Sequence, residues 1–122
     1  MSWNLNDDRP IYVQLMEQIQ LRIVSGIYKA GDKLPSVREM AADAAVNPNT
    51  MQKALTELER TGLVFSQRTS GRFITEDISM IKDIRSGLAK EQIEKFLFNM
   101  EKIGYTKQET IELIEVISKE MK

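Results

Sequence analysis

Two helix-start signals placed close together, at Ser36 and Asn47, constrain this chain more than anything else in it. Ser36 is followed three residues later by Glu39, the spacing of a capping box, in which each side chain satisfies an amide N–H that a helix start leaves open. Asn47 precedes Pro48, a cap followed by the residue whose fixed φ and missing N–H suit a first helical position. The helix begun after Ser36 must therefore be short and end near Ala45. Its Val37, Met40, Ala41 and Ala44 form an apolar face of mostly small side chains, which lets another helix approach closely. In the next helix Met51, Ala54, Leu55 and Leu58 line one side at helical spacing, and Asn49, Thr50, Gln52, Lys53 and Thr56 fall elsewhere until Gly62 stops it. Two short helices joined by a tight turn form a helix-turn-helix.

The flanking segments complete a domain around that pair. Ile11, Leu15, Ile19 and Ile23 make one apolar stripe, predicting a first helix from about Pro10 to Ser25, with Gly26 at its end and a Gly31-Asp32 turn beyond. After Gly62 the period changes: Leu63 to Gln67 and Arg72 to Thr75 read as strands around the polar tip Arg68-Thr69-Ser70-Gly71. A two-stranded hairpin is marginal alone, so its apolar side must pack on the helices. Further on, Ile81, Ile84 and Leu88, then Ile93, Phe96, Leu97, Met100 and Ile103, predict a long helix with a bend or a second face at the five-residue step. Thr106 with Glu109 caps another helix, striped by Ile111, Ile114, Ile117 and Met121. The expected fold is α+β, a winged helix-turn-helix of three helices and a β-hairpin over residues 1–76, followed by two C-terminal helices over 77–122.

Composition narrows the function. The 122 residues include no Cys and no His, which removes thiolate metal sites, disulfides, the commonest general base and the usual nucleophile pairs. No cofactor or metal is expected, and an enzyme would have to rest on two carboxylates converging in a cleft, for which no spacing argues. The N-terminus lacks the build of a signal peptide and no long apolar run exists, so the expected place is the cytoplasm, with no membrane partner. The formal net charge is −1, and through Thr75 nine Lys or Arg stand against eight Asp or Glu. A phosphate-binding face must therefore come from placement of cations rather than from their excess.

The second helix of the pair is the natural reader of DNA. Asn49 and Gln52 carry a donor and an acceptor each, which base edges in a major groove can pair with. Thr50 offers a hydroxyl, Arg38 and Lys53 are the expected phosphate contacts, and Arg68 and Arg72 flank the hairpin tip, within reach of backbone or minor groove. Taken singly, Gln52, Lys53 and Thr56 are ordinary solvated positions, and Asn47 serves as a cap whatever else it does. Their weight comes from sharing the start of one helix.

Four segments, Pro10-Ile11-Tyr12-Val13-Gln14, Gly31 through Glu39, Val46-Asn47-Pro48-Asn49-Thr50 and Glu57 through Leu63, resemble the N-terminal domain of GntR-type bacterial regulators over about Arg9 to Thr75. The resemblance implies DNA contacts by Arg38, by Asn47, Asn49, Thr50 and Gln52, and by Gly71 and Arg72 in the wing. At the wing tip, Thr69-Ser70-Gly71-Arg72-Phe73 keeps only the second Gly of the family's Gly-x-Gly. The C-terminal stretch resembles in length the YtrA-type subgroup, which implies dimerisation through two helices. Ile93, Phe96, Leu97, Met100, Ile114 and Ile117 are the expected dimer contacts, since the consecutive Phe96, Leu97 and Phe98 cannot all face one side and a second surface needs a cover. The expectation is a homodimer on a double-stranded operator of two inverted half-sites, open to a small-molecule effector between the C-terminal helices. The alternative is a winged-helix module for protein–protein contact without DNA binding.

Overall fold

The computed structural model describes residues 2–121 and contains five helices and one two-stranded sheet among them, in the order α1 (Ile11–Val24), α2 (Val37–Ala44), α3 (Pro48–Thr61), β1 (Val64–Gln67), β2 (Gly71–Ile74), α4 (Ile78–Ile103) and α5 (Lys107–Glu120). Contacts divide the chain into two units, residues 1–85 and 86–122.

The first unit is built on α3, which packs against α1, α2 and β1. Leu15, Ile19 and Ile23 from α1, Met40, Ala41 and Ala44 from α2, and Met51, Ala54, Leu55 and Leu58 from α3 are buried with Leu34, Leu63, Val64 and Ile74 in one cluster. Each large side chain fully buried there is worth about 1.5–3 kcal/mol of transfer free energy. Met80, Ile81 and Ile84 at the start of α4 pack against the same cluster, which is why the division falls after Arg85.

Local chemistry sets the helix ends. Ser36 Oγ accepts from the Glu39 N–H at 3.1 Å while the Glu39 carboxylate accepts from the Ser36 N–H at 3.3 Å, the reciprocal pair read from the sequence. Asn47 caps α3 by accepting from the Asn49 N–H at 2.7 Å. Pro10, by contrast, stands at the cap position of α1, and the helix begins at Ile11. The α2–α3 turn passes through Ala45 at φ 57, a left-handed conformation that costs a non-glycine residue roughly 1–2 kcal/mol. Gly62 ends α3 in the same region, at φ 85, without that cost.

β1 and β2 pair antiparallel with Val64 opposite Ile74 and Gln67 opposite Gly71, and Phe65 stacks on Phe73 at 5.8 Å between ring centroids. Lys33 adds a one-residue bridge to Phe73. The Leu34 N–H donates to the Arg72 carbonyl at 2.9 Å and the Ile74 N–H to the Asp32 carbonyl at 2.8 Å. The hairpin is thereby tied to the chain just ahead of α2.

α4 runs as one helix to Ile103, so the five-residue step from Leu88 to Ile93 does not interrupt it. Thr106 and Glu109 form the expected capping box of α5, at 3.1 and 2.9 Å. From residue 86 to 121 only Thr110 is buried, its hydroxyl donating to the Thr106 carbonyl at 2.8 Å. No helix among the described residues is long and apolar enough to cross a membrane.

Candidate nucleic-acid interface

On α3 the polar residues Asn49, Gln52, Lys53 and Thr56 follow the i, i+3, i+4, i+7 spacing of one helix face, and Met51, Ala54, Leu55 and Leu58 follow the same spacing two residues on. Two residues turn a helix by roughly 200°, so the two sets lie on opposite sides. The second set is buried in the core, which aims the first outward: Asn49, Gln52 and Lys53 are exposed, with Thr50 and Thr56 half-buried beside them. A convex helix face of this kind enters a groove rather than forming one.

The cations are arranged in distinct ways. Arg38 is exposed on α2. The Lys53 ammonium lies 4.0 Å from the Tyr12 ring centroid, so an aromatic face of α1 holds it beside the exposed face of α3. Arg68 is exposed at the wing tip. Arg72 is half-buried, and its Nε donates to the Glu59 carboxylate at 2.5 Å, on the same oxygen that accepts from the Ser66 hydroxyl at 2.6 Å. Burial alone would raise the Glu59 carboxyl; the hydrogen bonds from Ser66 and Arg72 and the charge of Arg72 outweigh it and hold the group below the ordinary carboxylate value. Arg72 thus ties the wing to the far half of α3.

Two depressions mark the surface of the first unit. One runs between the start of α2 and the wing, lined by Lys33 through Val37 and Glu39 on one side and Ser66 through Arg72 on the other. It brings together Arg68, Gly71 and Arg72 from the sequence reading. The other lies between the N-terminal segment and the α2–α3 turn and brings Asn47 and Thr50 beside Asn6 and Asp7. Arg38, Asn49, Gln52 and Lys53 stand outside both. In the second unit Ile93, Phe96, Ile114 and Ile117 are exposed, and Leu97 and Met100 are half-buried.

Local packing of Trp3 and Tyr12 beside the first helix is the sequence expectation, and both pack against the core, but the partners of the N-terminal arm were not legible. Trp3 Nε1 donates to Asp43 at 2.7 Å, and the Arg22 guanidinium carbon sits 3.7 Å from the Trp3 ring centroid. The buried Gln14 side chain accepts from the Asn6 N–H at 2.9 Å and donates to the Asn6 and Arg9 carbonyls at 2.8 and 2.7 Å. A glutamine on the apolar side of the first helix, one position before Leu15, was the available signal. The bridge made by Lys33 was missed as well, because a single paired residue leaves no periodicity to read.

Residues 11–74 match the family described as bacterial regulatory proteins, gntR family. The chain is 37% identical over 114 residues to the HTH-type transcriptional repressor YtrA of Bacillus subtilis, covering 93% of this chain and 88% of that one. It superposes with TM-score 0.84 on a GntR family transcriptional regulator from Listeria monocytogenes, at 40% identity and over 91% of this chain and 97% of that one. The AraR DNA-binding domain in complex with operator ORE1 matches with TM-score 0.53 at 27% identity, over 62% of this chain and 94% of that one. The chain belongs to the GntR family of bacterial regulatory proteins, is similar throughout to its YtrA-type members, and is a DNA-binding transcription regulator with a winged helix-turn-helix.

Proposed function

We propose that the protein acts in the cytoplasm as a dimeric repressor on an operator of two inverted half-sites, with residues 1–76 as the DNA-binding domain and 77–122 as the dimerisation region. The observation that carries the DNA side is the outward face of α3, where Asn49 and Gln52 are exposed opposite a fully buried apolar face. In this reading Asn49, Thr50 and Gln52 meet base edges. Asn47 adds its side chain at the helix start, and Arg38, Lys53 and Arg68 hold phosphates, with Gly71 and Arg72 placing the wing against the backbone. The similar YtrA of B. subtilis is a transcriptional repressor and the AraR domain is bound to an operator, which favours repression and a DNA partner.

The dimer side rests on the second unit. Ile93, Phe96, Ile114 and Ile117 are 58%, 43%, 41% and 44% exposed, and no apolar side chain from residue 86 to 121 is buried. Helices of this composition gain stability mainly by covering an apolar face, and a second copy supplies that cover. Two-fold pairing sets the reading helices about 34 Å apart, one DNA turn. A small molecule bound between the C-terminal helices would change that spacing and so act as effector.

Selection of bound fragments from random duplex DNA tests the proposal, followed by affinity measurement at two salt concentrations. The expected product is an inverted repeat whose affinity falls with salt, as counterion release demands. Arg38→Ala should weaken all sequences alike, whereas Gln52→Ala should relax preference at one position per half-site. Absence of salt-dependent DNA affinity would instead favour a protein–protein module.

A further inference from the structure

We propose that Lys33 is a further DNA contact, clamping a backbone phosphate in the groove between the start of α2 and the wing; the inference rests on the DNA-binding reading above. Lys33 is unusual among the exposed cations in having its backbone held by the wing: it bridges Phe73, with the Leu34–Arg72 and Ile74–Asp32 hydrogen bonds on either side. Its side chain then lies across Gly71. A Cβ built on that glycine would stand 3.2 Å from Lys33 Cε and 3.9 Å from Nζ. A side chain at position 71 would press on the lysine stem, which would have to give by a few tenths of an ångström, and the φ of +107 there independently favours glycine. This gives a physical reason for the one glycine kept at the wing tip.

The charge around the groove points to an anion. Of its lining cations, Arg72 is held by Glu59, whereas Lys33 makes no ion pair with a described residue. The one acidic side chain lining it, Glu39, is turned back onto the Ser36 N–H. An ammonium on a stem laid across Gly71, in an open trough that Arg68 also lines, matches the spaced single charges of a phosphodiester backbone. A lysine point charge carries no base information, so its contribution is the same on every sequence.

Fluorescence anisotropy on a duplex of random sequence, over a four-fold salt range, tests this with the wild type, Lys33→Gln and Lys33→Arg. Lys33→Gln should make the slope of log affinity against log salt shallower by about 0.9, so that the same salt increase weakens it about 3.5-fold less than the wild type. It should also bind every duplex more weakly by one common factor, Lys33→Arg should restore the slope, and thermal midpoints should coincide. A wild-type slope in Lys33→Gln, or a loss confined to one sequence, refutes the phosphate contact while leaving the DNA-binding reading intact. A wild type without salt-dependent affinity overturns both.

Discussion

The pair formed by Glu59 and Arg72 joins α3 to the wing, and separating its members should have a measurable cost. Their side chains are 28% and 17% exposed, between the surface and interior limits for ion pairs. Unit charges about 4 Å apart at an effective dielectric of 20 attract by about 4 kcal/mol. Desolvation of two partly covered groups and loss of side-chain freedom oppose most of this, leaving a coupling of about 1–2 kcal/mol, above the usual exposed pair. A double-mutant cycle with Glu59→Ala, Arg72→Ala and both together, read by urea denaturation at pH 7, measures the term directly. The pH dependence has a definite sign. Because the folded Glu59 carboxyl lies below its unfolded value, the coupling is fully present above the ordinary carboxylate range, near pH 4.3, and is lost as pH falls through the folded value. A coupling indistinguishable from zero at pH 7, or one that does not diminish as acidification protonates Glu59, would refute the idea that this contact braces the wing.

Three other outcomes follow from the same geometry. Leu55→Ala, at a position 1% exposed, should destabilise the first unit by about 2–5 kcal/mol in urea, and a loss under 1 kcal/mol would contradict its place in the core. Asn47→Ala should cost about 1 kcal/mol of stability by removing the α3 cap, with Asn47→Asp retaining most of it; equal loss in both would show that the cap is not what the side chain provides. Phe96→Asp combined with Ile117→Asp should yield a monomer by light scattering and reduce operator affinity, and an unchanged dimer mass would place the subunit contact elsewhere.

Much of this protein was legible from local chemistry. The capping boxes at Ser36 and Thr106, the Asn47-Pro48 start and the Gly62 stop act within a turn of the residues that carry them, so they can be read without knowing what packs nearby. Alternation of buried and exposed positions along α3 likewise follows from helical period alone, and it placed Met51, Ala54, Leu55 and Leu58 inside. The family motifs then supplied candidate contacts such as Arg38, which no periodicity distinguishes from an ordinary exposed arginine.

What tertiary structure decided are the contacts between residues far apart in sequence. Trp3 with Asp43, Arg22 under the Trp3 ring, Arg72 with Glu59, Lys53 over Tyr12 and Lys33 across Gly71 each depend on which elements meet and at what height along their axes. A cation's sequence position says only that it is charged; the partner that folding brings to it determines whether it braces the domain, as Arg72 does, or stays available in the groove, as Lys33 does. Hydrogen bonds and ion pairs act over a few ångströms, so only packing that joins distant segments can make that assignment.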